Sequence, residues 1–375
     1  MKGSENLSIF DIIPNGDEYK AKKSTDWKWT FADYPKEKNG VKVFSCFACG
    51  GGSTMGYKLA GCEVVGCCEI DPKMNEVYIK NHKPKHNFLM DIRDFNNIPN
   101  EEIPEELFNL DILDGSPPCT TFSMAGEREK SWGKKKKFRE GQAEQTLDDL
   151  SFVFIETVNK LKSKVMIMEN VEGLIKGEAW SYVQRIYKGL IDIGYSVKHW
   201  LLKGEYMGVP QTRHRVFFIA VRNDIDFDLQ SLDMSFNYNP ITYGEIKSPK
   251  GDKITAKSIL ELLPYVEYGD IFLRSACKKV KGKKSFFNEM ILYDNKPCWT
   301  LRARPSYYRY GTDESITIED IISAQTFPQD YDFINYSKSN VCYICGMSVP
   351  PIMIKRIVTR LIESGLFDTK ERETK

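Results

Sequence analysis

From Val41 onward the chain alternates short apolar runs with longer amphipathic stretches. The runs are Val41–Phe47, Glu63–Cys68, Asn87–Met90, Leu110–Leu113, Val165–Met168, Val197–Leu202 and Val216–Val221. Helix-length segments such as Leu150–Leu161 and Ala179–Ile193 lie between several of them. Strand, helix, strand repeated in this way predicts an α/β fold: a mostly parallel sheet with helices on both faces. The rhythm breaks after Val221. Residues 222 to about 296 carry short aromatic and basic segments with Pro and Gly turns, which reads as a small second domain. Helix-like segments return at Ile318–Thr326 and Pro351–Gly365. The expected organisation is therefore an N-terminal extension (1–40), a first large domain (41–221), a small domain (222–300) and a C-terminal segment (301–375). Residues 1–40 are polar with scattered aromatics, and their role is not readable.

Composition changes this picture little. The chain of 375 residues is 41% hydrophobic and 28% charged, which fits a soluble globular protein. No apolar run approaches the length of a membrane span, and residues 1–29 carry no signal-peptide core, so a cytoplasmic protein with no membrane partner is expected. The ten cysteines lack the spacing of a secreted disulfide framework. Two pairs have CxxC spacing, Cys46/Cys49 and Cys342/Cys345, but the first runs from a strand into a Gly-rich turn, a poor metal-ligand loop, so no metal is expected. Net charge is only +1, yet lysines cluster at residues 134–137 and 278–284. Such runs alone are ordinarily solvated loops.

Candidate chemistry sits at the predicted strand ends. The first strand runs into Phe47-Ala48-Cys49-Gly50-Gly51-Gly52, where glycines permit a tight turn and close approach of backbone amides to a ligand. Met55 stands where the last glycine of a dinucleotide fingerprint falls, which weakens a nicotinamide reading. The second strand ends in Glu69-Ile70-Asp71, where an acid can accept from both ribose hydroxyls, and the third in Asp91-Ile92, where one can accept from an adenine amino group. Alone, each acid is more often a surface residue or a helix cap. Together, at successive strand ends, they describe a nucleoside site. The fourth strand leads to Pro117-Pro118-Cys119, whose stiffened backbone presents a cysteine from a loop, as a nucleophile requires. Glu169-Asn170-Val171 ends the fifth strand. In Gln211-Thr212-Arg213-His214-Arg215 the alternating arginines share one face and offer two positive charges to the same edge.

These pieces resemble, in order, the DNA cytosine-5 methyltransferase family. The resemblance spans residues 41 to about 360 and rests on Phe47–Gly52, Glu69, Asp91, Pro118-Cys119 with Phe122-Ser123, Leu150, Glu169-Asn170-Val171, Gln211-x-Arg213-x-Arg215, Thr300-Leu301 and Gly346-Met347-Ser348-Val349. It implies an S-adenosylmethionine-dependent, Rossmann-like methyltransferase fold: a mixed sheet with helices on both faces, plus a small target-recognition domain over 222–300. It implies Cys119 as the nucleophile attacking C6 of a flipped-out cytosine, Glu169 on the N3 edge, Arg215 on O2 and Arg213 supporting the nucleophile loop. The cofactor, S-adenosylmethionine, is expected against Phe47, Ala48, Cys49, Gly51, Gly52, Glu69, Ile70, Asp91, Ile92, Pro118, Leu150, Ser348 and Val349. Ser123, Gln211, Thr300 and Leu301 are expected on the substrate side. Residues 120–142 would close over the base, with Lys134–Lys137 toward phosphate. The expected partner is double-stranded DNA, met by a monomer in a bacterial or phage-encoded setting; whether a restriction endonuclease shares its site stays open. Two positions depart from the family. Cys49 replaces a glycine, implying either an ordinary backbone there or a shifted cofactor, and Met347 replaces an asparagine beside the cofactor. A tRNA-directed member would share the catalytic residues but carries a Cys-Phe-Thr tripeptide absent here. A non-catalytic DNA-binding scaffold would have no use for an intact Cys119, Glu169, Arg213 and Arg215.

Overall fold

A computed structural model describes residues 22–118, 149–282 and 287–368. Cys119, Ser123, the segment 120–142 and the lysines at 134–137, 283 and 284 lie outside the described residues.

The apolar runs become the strands of a seven-stranded sheet. These are β1 (Lys42–Cys46), β2 (Glu63–Glu69), β3 (His86–Leu89), β4 (Ile112–Gly115), β5 (Val165–Val171), β6 (Tyr195–Lys203) and β8 (His214–Arg222), in the order β3-β2-β1-β4-β5-β8-β6. The two-residue β7 (Gln211–Thr212) stands apart and pairs with β11 (Cys298–Trp299). The first five strands in that order pair in parallel, whereas β8 runs antiparallel to both β5 and β6. The sheet is therefore mixed. The crossovers are α1 (Gly52–Leu59), α2 (Pro72–His82), α3 (Ile92–Asn97), α4 (Leu150–Leu161) and α5 (Trp180–Asp192).

Side-chain alternation along the strands divides the interior into two layers. Val43, Ile112, Val165, Ile167, Phe217 and Ile219 face one core, and Phe44, Leu113, Met166, Met168, Phe218 and Ala220 face the other. Central strands buried on both faces read as unbroken apolar runs, which is why they were legible. The first core is closed by the end of the chain. α9 (Ile318–Gln325), α10 (Lys338–Met347) and α11 (Pro351–Glu363) bury Ile321, Val341, Ile344, Ile354 and Val358 there. Gly56 lets α11 lie directly on α1, since a Cβ at that position would sit 2.5 Å from Pro351 O and Ile354 Cβ.

Between β8 and α9 lies a small four-stranded sheet, β10-β12-β13-β9, built from β9 (Asp252–Lys253), β10 (Met290–Leu292), β12 (Tyr307–Arg309) and β13 (Glu314–Ser315). Around it lie α6 (Tyr243–Ile246), α7 (Lys257–Leu260) and α8 (Arg274–Lys281). Ile259, Leu262, Leu273, Ala276, Cys277, Ile291 and Tyr293 form its own cluster.

Two segments go beyond what the sequence showed. Residues 24–34, unreadable in sequence, clasp the C-terminal helices. Trp29 is buried and donates from Nε1 to Thr326 O (2.8 Å), and Asp26 pairs with Lys355 and Arg356. The stretch Lys338–Glu363 is long and apolar enough to cross a membrane by length and composition alone, but 72% of its most apolar window is buried inside the fold. Ser348-Val349-Pro350 breaks it into two core helices.

Candidate active site at the carboxyl edge of the sheet

The turn after β1 is built on left-handed backbone. Phe47 (φ 55°), Cys49 (φ 48°) and Gly51 (φ 79°) alternate with ordinary residues. Gly51 caps α1, and a Cβ there would lie 2.1 Å from His82 Nε2; one at Gly52 would lie 2.1 Å from Val349 O. The Gly50 carbonyl accepts from Tyr331 Oη (2.6 Å). Cys49 therefore keeps the conformation a glycine supplies more cheaply, at a cost of about 1–2 kcal/mol. That corrects the ordinary-backbone alternative. The Cys49 amide is fixed by Glu69 Oε2 (2.7 Å), and its thiol packs on Met74. Burial pushes that thiol up to about 12, so it stays neutral.

The turn, the ends of β2 and β3, and the residues after β4 border a cleft that is open at its mouth. Phe47, Cys49, Glu69, Ile70, Asp91, Ile92 and Pro118 line it, as the sequence suggested. Asp71, Met74, Met90, Ser116, Tyr343 and Met347 line it too and were not among the predicted site residues. Glu69 accepts from the backbone N–H of Cys49, Ile70 (2.9 Å) and Asp71 (2.8 Å). A carboxylate offers about four acceptor positions, so one remains toward the cleft rather than the two that both ribose hydroxyls would use. Burial pushes the Glu69 carboxyl above its ordinary range, opposed by those three amides. Asp91 caps α3 through the Arg93 amide (2.9 Å) and pairs with the Arg93 guanidinium, which also reaches Asp149 (2.5 Å) at the head of α4. Ala48, Gly51, Gly52, Ser348 and Val349 are buried, and Gly52 packs against Ser348 and Val349. Leu150 is buried in the second core, where it opens the apolar face of α4.

Beside the cleft, Glu169 and Arg215 meet across β5 and β8, with Nε 2.8 Å from Oε1 and both side chains mostly buried. Asn170 donates from Nδ2 to Pro117 O (3.3 Å) and so holds the residues preceding Cys119. Arg213 itself is 2% exposed and donates to the carbonyls of Leu301 (3.4 Å), Gly346 (3.1 Å) and Ser348 (3.0 Å). Burial, with Arg215 nearby, pulls its guanidinium down to about 9. The two arginines thus have separate partners, one at the edge and one inside.

Gln211, Thr300 and Leu301, expected on the substrate side, have partners within the fold. Gln211 is fully buried and bridges Ala324 O, the Gln325 side chain and Leu301 N. Thr300 donates to Thr212 O, and Leu301 is 1% exposed. These residues stitch β7 to the returning chain, because polar groups sealed inside must be satisfied there. Among the described residues no group of three His, Cys, Asp or Glu side chains is placed to hold a metal, and Cys342 and Cys345 are buried thiols.

Comparison with known proteins gives the same direction. Residues 41–265 match the family described as C-5 cytosine-specific DNA methylase. The chain is 30% identical to the type II methyltransferase M.NgoPII of Neisseria gonorrhoeae, over 84% of this chain and 94% of that protein. It is 28% identical to M.Sau96I of Staphylococcus aureus, over 87% of this chain and 77% of that protein. A crystal structure of a mutant DNMT2 from Spodoptera frugiperda superposes with a TM-score of 0.59 at 17% identity, over 86% of this chain and all of that one, a likeness of fold. A cleft flanked by Glu69 and Asp91, a Glu169–Arg215 pair beside it and a match over more than half the sequence agree: this chain belongs to the C-5 cytosine-specific DNA methylase family.

Proposed function

We propose that the protein transfers a methyl group from S-adenosylmethionine to C5 of a cytosine turned out of a DNA duplex. The cleft fits such a cofactor. Phe47, Ile70, Met90, Ile92 and Pro118 give it apolar walls for a purine, and Glu69, Asp71 and Asp91 give it carboxylates for hydroxyls and amino groups. When bound, S-adenosylmethionine supplies an electrophilic methyl group. Cytosine is a poor nucleophile at C5, so the Cys119 thiolate first forms a bond to C6 and makes C5 enamine-like. Glu169 holds N3 and the 4-amino edge, and Arg215 binds O2 and stabilises the charge that develops on the base. Loss of the C5 proton then expels the thiolate and restores the ring. The target must leave the stack to reach these groups. Arg213 acts as a positioning residue behind them.

The division into 41–221, 222–300 and 301–375 follows from this reading, with the small sheet and α6–α8 as the target-recognition part. The observation that carries the proposal is the Glu169–Arg215 pair beside an acid-rimmed cleft, one loop away from Pro117-Pro118-Cys119. DNA containing 5-fluorocytosine tests it, because fluorine cannot leave as a proton does. The wild type should form a stable adduct and Cys119→Ser none. An adduct that persists in the serine variant would sink the assignment. Bisulfite sequencing of DNA from cells expressing the chain should show protected cytosines in one sequence context.

A further inference from the structure

One buried acid has no part in the mechanism above. Asp114, third residue of β4, is 2% exposed and lies directly across from Ser45 on β1. Ser45 Oγ donates to its Oδ2 (2.7 Å) and Tyr57 Oη to its Oδ1 (3.0 Å), and the Ser53 hydroxyl bonds to it as well. Ser53 and Tyr57 lie four residues apart on one face of α1, the helix that opens at the glycine-rich turn. β4 ends at the next residue, Gly115, and Ser116, Pro117 and Pro118 follow it. Ser116 and Pro118 line the cleft, and Pro117 is held by Asn170. A single carboxyl thus ties the strand before the cofactor turn, the helix after it and the strand that leads into Cys119.

We propose that Asp114 is a positioning residue for methyl transfer, holding the turn at residues 47–52 in register with the nucleophile-bearing end of β4 through Ser45, Ser53 and Tyr57. This role presupposes the methyl transfer proposed above. The titratable and charged groups around Asp114 come from four elements: Cys46 on β1, Tyr57 on α1, Tyr78 on α2 and Glu169 on β5. Burial pushes Cys46, Tyr57 and Tyr78 far above their ordinary range, so all three stay neutral through the physiological range. Glu169, the fourth group, is paired with Arg215. Burial, with Glu169 adding to it, pushes Asp114 up to about 7, against the hydrogen bonds from Ser45, Tyr57 and Ser53. Hydrogen bonds to an ionised acceptor are the stronger kind, so the three-way link tightens as Asp114 loses its proton.

Asp114→Asn keeps the shape and removes the ionisation. With the purified full chain and an unmodified DNA duplex, kcat of the wild type should rise through pH about 7 relative to that of the variant. At pH 8 the variant should turn over about tenfold more slowly, the equivalent of one unit of differential interaction. Its KM for cofactor and DNA should move by less than about threefold, a fraction of that same interaction. Ser45→Ala removes a bond that favours the charged form, so it should move the inflection to higher pH while leaving it visible. The proposal is overturned if Asp114→Asn keeps the wild-type kcat and pH profile, if its loss lies wholly in KM, or if the inflection in Ser45→Ala does not shift. A wild type that methylates no DNA at any pH would instead defeat the functional reading, leaving the question about Asp114 separate.

Discussion

Glu69 serves the fold and the cleft with one carboxylate, and substitution separates the two. Three of its acceptor positions hold the amides of Cys49, Ile70 and Asp71, and the side chain also lines the cleft. Glu69→Ala should weaken S-adenosylmethionine binding at least tenfold, since a hydrogen bond to a charged acceptor contributes about 1.5–3 kcal/mol. It should also lower Tm, because three amides lose their acceptor, and leave DNA binding nearly intact. Calorimetry with the cofactor decides: an unchanged Kd would remove Glu69 from the site. The acid at the end of β2 was legible in sequence. How it divides its lone pairs was not, because that depends on a turn twenty residues earlier folding back over it. The backbone at Cys49 was equally hidden, since the residue type argued for an ordinary conformation and the packing of Gly50–Gly52 against His82 and Val349 imposes the other. Cys49 and Met347 line the same cleft. Cofactor Kd values for Cys49→Gly, Met347→Asn and the double variant should be non-additive by roughly 0.5 kcal/mol or more, as expected of neighbours sharing one cavity. Strict additivity would show that the two positions act independently.

At the scale of elements, one short strand segment holds two arginines with different work. Arg215 lies at the start of β8 and pairs with Glu169 across β5, whereas Arg213 turns inward to three carbonyls contributed by residues 301, 346 and 348. Arg213→Ala leaves the carbonyls of Leu301 and Gly346 buried without that donor, at about 1–3 kcal/mol for each unsatisfied group, while Ser348 O keeps its bond from Gln325. It should therefore cost stability first and activity as a consequence. Arg215→Ala should lower kcat about a hundredfold or more, the scale of losing a donor to developing charge. Its Tm should fall as well, because removing one partner of a mostly buried pair leaves the Glu169 carboxylate uncompensated, so the loss of kcat is what marks its role. Denaturation curves and single-turnover rates for both variants separate the roles; an Arg215→Ala enzyme that is destabilised but catalytically intact would reverse them. Strand alternation made both residues look like edge charges. The inward path of Arg213 depends on β11 and Thr300-Leu301 returning beside β7, a contact almost ninety residues distant in sequence. The same limit explains why α4 and α11 were readable from their own apolar stripes, while α10 and the clasp around Trp29 were not.

For the molecule as a whole, a net charge of +1 leaves no general attraction to DNA, so the basic groups must be concentrated where the duplex lies. The lysine run at 278–284 looked undistinguished in sequence. In the structure its described members divide. Lys279 folds back onto Glu267 (2.9 Å) and Asp270 (3.3 Å), whereas Arg274, Lys278 and Lys281 sit exposed at i, i+4 and i+7 along α8, with no carboxylate partner among the described residues. Arg302 joins them. Phe272 carries the Arg274 guanidinium 4.1 Å from its ring centre and that of Arg302 at 5.6 Å, and Asn288 accepts from both arginines. Stacking of this kind fixes the guanidiniums without neutralising them. Lysines at the end of a helix also favour the helix itself through its dipole, which is the competing account. The salt dependence of binding separates the two. If the face tracks phosphates, Lys278→Gln with Lys281→Gln should lower the slope of log Kd against log salt by about 1.8, near 0.9 for each lost contact. Binding should weaken equally for target and non-target duplexes, since phosphate contacts carry no base information, while the methylated sequence stays the same. A double variant with a lower Tm and an unchanged slope would assign these lysines to the helix and move the path of the DNA elsewhere.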